Sequence, residues 1–376
     1  MGDQLSNEDK KDLLKALFDK DVEDDSTLDE YFEYFDFFQD QIKQPGIDND
    51  SLKANICKSI QDAVKDMQQH PDTTLLQLVE RLKSPASPPQ DDHDLRALVD
   101  CALRVWIGVN SRRPAPDGSF TDAGETRFCW DGDLPLCDFI WRVFYPGKNF
   151  GERPVVERDE MISETATVQG RLTHPLTAVN LERYPRIETH WASYLNDHLR
   201  LSVSYKKLQV FWQKKWLQDA KSFLEKRGQQ CRSGPGADEW ESINSTGKKL
   251  PPYPVPAEVL DEALMSLDYL FPNAQQTFAF LRRHDKTPSL PEGERPRLKQ
   301  FVYYHDRLIE VAQEFLNPPR DLWTIWSDKR NPVQFLTFWF GLLVVLLTIL
   351  FGVIASVLAG LQYRAALYPS SNARAS

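Results

Sequence analysis

Apolar positions recur at helical spacing through most of this chain, and in one place they fuse into an unbroken run. Near the amino terminus, Ser6-Asn7 followed by acids marks a helix start that leads into Leu13, Leu14, Leu17 and Phe18. Ser26 followed by Asp29 reads as a capping box, and Leu28, Tyr31, Phe32, Phe35, Phe38 and Ile42 then share one helix side until Pro45-Gly46. Leu52, Ile56, Ile60, Ala63, Val64 and Met67 predict a third helix, stopped by His70-Pro71, and a short fourth covers Thr74 to Lys83. An aromatic stripe of this kind is read as core, with an acidic partner-binding helix as the alternative.

Ser84–Gln90, SPASPPQ, is a linker or a proline-stiffened turn. Leu95, Leu98, Val99, Ala102, Val105 and Trp106 predict another amphipathic helix, Ser111–Thr126 is loop by composition, and Leu134–Phe144 is a short helix. The pattern changes around residues 160–212. Thr165–Val168 and Leu176–Leu181 flank Pro175, and Arg186–Trp191 alternates with period two, as a strand does. Ala192–Leu199 reads as helical. Leu199–Trp212 alternates again, with a turn or a bulge at Lys206-Lys207. Trp216–Lys226 is helical, Gly228–Pro256 is expected to be a mobile loop, and helices are predicted at Ala257–Leu270, Gln275–Arg283 and, as one long element, Arg295–Leu316. Leu322–Asp328 then runs toward the apolar stretch near the carboxy terminus.

The unbroken run is Phe335–Leu361, FLTFWFGLLVVLLTILFGVIASVLAGL, which contains no Asp, Glu, Lys, Arg or His. At ~1.5 Å per residue it spans roughly 40 Å, enough to cross a ~30 Å hydrocarbon core. Trp339 lies near one end, Tyr363 and Tyr368 lie past the other, and amphipathic rings of this type favour headgroup depth. Thr348, Gly352, Ser356 and Gly360 fall on one helix face at small-residue spacing, the pattern that lets two membrane helices approach closely. The alternative is that these residues pack against lipid.

The expected architecture is therefore mainly α, with a small β element near 186–212 and one C-terminal transmembrane helix. Its segments are acidic helices at 1–83, a helical region with the β element at 91–227, the loop 228–256, a juxtamembrane helical region at 257–330, the span 335–361 and a short tail 362–376. Basic residues cluster before the run (Arg282, Arg283, Lys286, Arg295, Arg297, Lys299, Arg307, Arg320, Lys329, Arg330), and only Arg364 and Arg374 come after it. Positive-inside bias then places the N-terminal region in the cytosol. MGDQLSNEDKKDLL is charged from its third residue and is not a signal peptide, and so late a span is expected to insert after synthesis, as a tail anchor does.

Composition refines this picture. The net charge is −10, with acid concentrated in Asp19–Asp40, which argues against a nucleic-acid binder. The five cysteines, Cys57, Cys101, Cys129, Cys137 and Cys231, are odd in number and scattered, as in a reducing compartment.

The resemblance of the chain rests on three stretches. They are Asn180–Phe211 (NLERY…IETHWASYLNDHLRLSVSYKKLQVF), Pro251–Pro272 (PPYPVPAEVLDEALMSLDYLFP) and Arg307–Trp339 (RLIEVAQEFLNPPRDLWTIWSDKRNPVQFLTFW). Over residues 130–365 the chain resembles a broad group of fungal single-pass membrane proteins, mostly uncharacterised, with a C-terminal anchor. The resemblance implies a fungal source and an anchor. It brings no activity, so no catalytic residue is carried over. The pattern Trp191…Leu195-x-Asp197-His198-Leu199 is the part expected to recur among relatives.

Candidate chemistry is sparse. Asp197-His198 has the adjacency of a general base and its orienting carboxylate, with His190 nearby, although neighbours on a helix do not face each other. The plainer reading is a histidine whose ring nitrogens are satisfied locally. His93-Asp94, His284-Asp285 and His305-Asp306 repeat the dipeptide without converging ligands, and His190 and His198, like Cys129 and Cys137, are not at a usual metal spacing. There is no GxSxG, GxxxxGK[ST] or GxGxxG, and Thr246-Gly247-Lys248-Lys249 is only a fragment. No cofactor and no metal are expected. Asn49-Asp50-Ser51 and Asn244-Ser245-Thr246 are sequons that a cytosolic region leaves unmodified. The expected role is a membrane-anchored interaction, scaffold or regulatory protein. Its partner would be a protein or a second copy joined through the span. The alternative is a membrane-tethered enzyme or accessory protein for a lipophilic substrate, and a third option is a homo-oligomer built on the small-residue face.

Overall fold

The computed structural model describes residues 5–43, 47, 50–83, 91–111, 126–146, 158–172, 174–233, 254–286, 295–317 and 332–367. They fall into two units, Met1–Leu316 and Asn317–Ser376. The segments 1–83, 91–227 and 257–316 belong to the first.

In that unit the caps decide where helices begin. α1 (Asn7–Phe18) opens with a reciprocal box: the Asp9 N–H donates to Ser6 Oγ at 3.1 Å, and the Ser6 N–H donates to the Asp9 carboxylate at 3.2 Å. At Ser26 the predicted box does not form. The Asp24 carboxylate accepts both the Ser26 N–H (2.9 Å) and the Ser26 hydroxyl (2.6 Å), so the hydroxyl has no role as a cap. A 3-10 turn, Asp25–Tyr31, results, and α2 (Phe32–Lys43) comes directly after it. α3 (Asp50–Ala54) and α4 (Ile56–Gln69) precede α5 (Leu75–Leu82), which a Thr74–Gln77 box opens. α6 (Asp92–Ile107) is capped by Asp91 and ends at Gly108, whose φ of 69° is left-handed. α7 (Leu136–Phe144) lies within the predicted 134–144, and SPASPPQ lies outside the described residues, as does nearly all of the predicted loop 111–126.

Thr165–Val168 lies within α8 (Arg158–Arg171), and of Leu176–Leu181 the residues from Ala178 onward lie in α9 (Ala178–Arg183), which the extended Thr177 caps. The β element is present as predicted: β1 (Glu188–Ala192), β2 (Leu201–Ser202) and β3 (Lys207–Phe211) form a sheet of order β1-β3-β2. β1 runs parallel to β3, with Glu188 opposite Lys207 and His190 opposite Gln209, while β2 runs antiparallel to it. The break at Lys206-Lys207 is therefore a turn. The helix expected over Ala192–Leu199 is only a 3-10 turn, Leu195–Asp197: Ala192 remains in β1, and Leu199 adopts a φ of 61° that redirects the chain into β2.

α10 (Lys214–Ser233) outlasts its prediction and enters the expected mobile loop. Gly228 is tolerated there at a cost of about 1 kcal/mol, and no proline intervenes before Pro235. Most of that loop lies outside the described residues. α11 (Ala257–Leu270) and α12 (Gln275–Arg283) match their predicted bounds. The long helix at 295–316 does not form. Only a 3-10 turn, Leu298–Gln300, precedes α13 (His305–Leu316). Glu262 explains the break. Its buried carboxylate accepts the N–H groups of Val302, Tyr303 and Tyr304, each at 2.9 Å, which holds them out of any helical ladder and caps α13 from a distant helix.

The core is continuous. Trp106, Trp216, Tyr31, Phe38, Phe211, Phe271, Phe280, Phe301 and Phe315 are among its fully buried side chains. The acidic aromatic stripe of α2 is largely core: Tyr34, Phe35 and Phe38 are buried, and of its aromatic residues Phe32 alone is strongly exposed. One ion-paired cluster joins the N-terminal segment to α10. Lys20 Nζ lies 2.8 Å from the Asp219 carboxylate, and the Tyr31 hydroxyl donates to the same carboxylate.

The second unit consists, among the described residues, of α14 (Pro332–Leu367), of which Leu336–Arg364, 29 residues, is long and apolar enough to cross a membrane and has none of its length buried. Leu322–Asp328 lies outside the described residues.

Candidate functional site

Asp197 and His198 lie just beyond β1, at the 3-10 turn Leu195–Asp197, and lead into β2. Leu195 anchors that turn by donating its N–H to the Gly108 carbonyl at 2.7 Å. Asn196 accepts the Asn110 N–H at 3.1 Å and donates to the Thr126 carbonyl at 3.3 Å, and the Asp197 carboxylate accepts the Thr126 N–H at 3.0 Å. These two side chains therefore clamp the two ends of the loop beyond α6. Arg200 lies 3.5 Å from Asp197. Burial raises the Asp197 pKa, and the Thr126 hydrogen bonds oppose that rise.

The His198 ring has no exposed surface. Its Nδ1 lies 3.0 Å from the Phe211 backbone N–H. A backbone N–H only donates, so Nδ1 is the acceptor and the ring proton sits on Nε2. Nε2–H then donates to Ser266 Oγ at 2.5 Å, and that hydroxyl donates to the Ala263 carbonyl at 2.7 Å. The ring meets Tyr304 edge to face at 5.1 Å. Arg307 donates to the carbonyls of Asn196 (3.1 Å) and His198 (2.5 Å). Burial first, and then the Arg307 cation, push the His198 pKa down to about 3. Both ring nitrogens serve β3 and α11, and neither meets Asp197. The predicted carboxylate–imidazole pair is thus not assembled, and the imidazole is a neutral tie between the sheet and α11.

His190 is half-buried on the edge strand β1, and burial, with Lys207 next, lowers its pKa. His305 is buried, with Nε2 2.9 Å from Thr165 Oγ1 and Nδ1 3.2 Å from the exposed Asp306 carboxylate. Among the described residues no group of three or more His, Cys, Asp and Glu side chains is placed to hold a metal ion. Cys57, Cys101, Cys129 and Cys137 are free thiols. Burial pushes Cys57 up to about 11 and Cys137 up to about 12.

Along α14, Thr348 Oγ1 donates to the Val344 carbonyl and Ser356 Oγ to the Gly352 carbonyl, each at 2.8 Å. The hydroxyls of the small-residue face are thereby satisfied within the helix, as an apolar solvent requires. A Cβ built at Gly352 or Gly360 meets nothing within 4 Å, so that face is open.

Sequence reasoning missed a shallow polar cleft lined by His70, Asp72, Thr73, Gln77, Glu80 and Arg81. Arg81 spans it, reaching Asp66 at 2.9 Å and Thr73 Oγ1 at 2.7 Å. It also missed Glu262, since nothing in the local pattern of α11 marks one acid as the cap of a helix some forty residues later. No protein-family model, no curated protein and no solved structure matches the chain.

Proposed function

We propose that this chain is a single-pass membrane-anchored interaction or regulatory protein that holds its N-terminal unit at the cytosolic face of a membrane. The observation that carries the reading is the helix Leu336–Arg364, uncharged as far as Tyr363 and unburied. A helix of this kind is stable in lipid, where its backbone is satisfied internally, and costly in water, where its side chains have no cover. The basic residues that precede it support the cytosolic side. The likeness to fungal anchored proteins supports the same reading and is proposed with it. His198, the strongest residue of the enzymatic alternative, is sealed and fully hydrogen-bonded, which favours the interaction role.

Protease protection on intact membranes tests this. The expected result is digestion of the N-terminal unit, protection of residues beyond Arg364, and no glycan at Asn244. A protected N-terminal unit carrying that glycan would reverse the orientation. Release of the whole chain by alkaline carbonate would refute the anchor itself.

A further inference from the structure

One buried charge in the first unit is left unanswered. Arg104, in the last turn of α6, is only 2% exposed. Its Nε donates to Gln41 Oε1 at 2.7 Å, the same oxygen that accepts the Tyr194 hydroxyl at 3.3 Å. Among the described residues its two Nη groups have no hydrogen-bond partner, and Arg104 forms no ion pair. Other buried charges are answered. Asp219 has Lys20 at 2.8 Å, and Glu314 has Lys206 at 3.2 Å. Asp197 accepts the Thr126 N–H with Arg200 3.5 Å away, and Glu262 accepts three backbone N–H groups. Neither Nη of Arg104 is among the sealed, unpartnered side-chain atoms of the core, so the sliver of surface that Arg104 keeps lies at least in part at its Nη end.

A guanidinium stays protonated inside a protein, so burial cannot be relieved by loss of the proton. A buried charge without a counter-charge is strongly unfavourable. The carboxy-terminal end of α6 offsets at most about half a unit of charge. Part of that is already taken: the Tyr34 hydroxyl donates to the Val105 carbonyl at 2.9 Å, and the Gly108 N–H to the Arg104 carbonyl at 3.1 Å. Gln41 is neutral, so its amide oxygen orients the guanidinium without answering the charge. What remains is a planar fork fixed at Nε, with both Nη groups free to donate. Carboxylate and phosphate oxygens match that fork in pairs. So small an exposure admits the terminal group of a small molecule and not an extended surface.

We propose that Arg104, positioned by Gln41 at the end of α6, is an anion-binding site for the oxyanion group of a small ligand, a phosphate or a carboxylate. The site lies wholly in the first unit and does not depend on the membrane reading. The full chain in uncharged detergent is titrated by calorimetry with inorganic phosphate and, separately, with acetate, at an ionic strength held constant with chloride. Saturable one-to-one binding of at least one of them is expected, weakened at least about tenfold by Arg104→Gln. Gln41→Glu is the second variant. It keeps Arg104 and sets a carboxylate against its Nε, so the charge is answered within the protein. Gln41→Glu is expected to raise the urea midpoint in buffer free of phosphate and acetate, and to weaken binding of both anions at least about tenfold. If Arg104→Gln does not fold, Gln41→Glu still decides. Binding of phosphate without acetate assigns a phosphorylated ligand, and binding of acetate a carboxylated one. No saturable binding of either anion overturns the proposal. So does binding that Gln41→Glu leaves intact, or a urea midpoint that Gln41→Glu lowers. Stabilisation that rises with salt without saturating, alike in parent and variants, is exclusion from the protein surface and also refutes the site.

Discussion

His198 makes the sharpest test of how this fold uses its polar core. Its folded pKa is about 3, against an ordinary histidine value near 6.5 in the unfolded chain. The folded pKa is depressed, so between these values the unfolded state binds a proton that the folded state refuses. Stability is therefore full above pH 6.5 and falls as the pH drops toward 3. Between pH 7.5 and pH 5.0 the proton linkage amounts to about 2 kcal/mol, and the figure is the same for any folded pKa below about 4. Urea unfolding of the full chain in detergent, followed by tryptophan fluorescence, reads this as a midpoint shift of roughly 0.7 M if the slope is about 3 kcal/mol per molar. The neighbouring carboxyls and His190 also titrate, so the measurement is a comparison with His198→Gln. That variant is expected to be less stable at both pH values but to lack about 2 kcal/mol of the pH dependence. Identical pH dependence in the two proteins would show that the ring is protonated or solvated in the folded state, and the sealed-tie reading would fail.

Glu262→Ala removes the acceptor of three backbone N–H groups and is expected to cost about 3–5 kcal/mol, measured as a denaturation midpoint, with amide exchange accelerated first in α13. Gly108→Ala forces a side chain into a left-handed conformation and is expected to cost about 1–2 kcal/mol; its new Cβ meets Leu195 and Trp216 at 3.4 Å, an ordinary contact, so a much larger loss would contradict the geometry. Under native conditions Cys129 should react with maleimide promptly, and Cys101 and Cys137 only after unfolding, as read by mass spectrometry; prompt labelling of Cys137 would contradict its burial and its raised pKa.

Several elements were legible without any structure. Ser6 with acids behind it starts α1, Pro256 precedes α11, and the periodicities at Ala257–Leu270 and Gln275–Arg283 return the helices at those bounds. These are local signals, written by capping and by apolar spacing within one or two turns. The misreadings share a cause. Asp24, Glu262 and the left-handed Leu199 each divert backbone or side-chain groups that the local pattern would have assigned to a helix. For Glu262 the diverting partner lies in a different element.

The candidate site divides in the same way. That residues 197 and 198 are an acid and an imidazole is a property of the sequence. Whether they face each other depends on Phe211, Ser266 and Arg307, which the fold brings from three other elements. The sequence by itself determined the mainly helical class, the place of the small sheet and the length and apolarity of α14, because each depends on residues close together along the chain. Tertiary structure alone decided that β1 runs parallel to β3, that His198 is neutral and closed to solvent, and that Glu262 starts α13. Those outcomes depend on which buried polar groups find partners, and the partners are set by packing between distant segments.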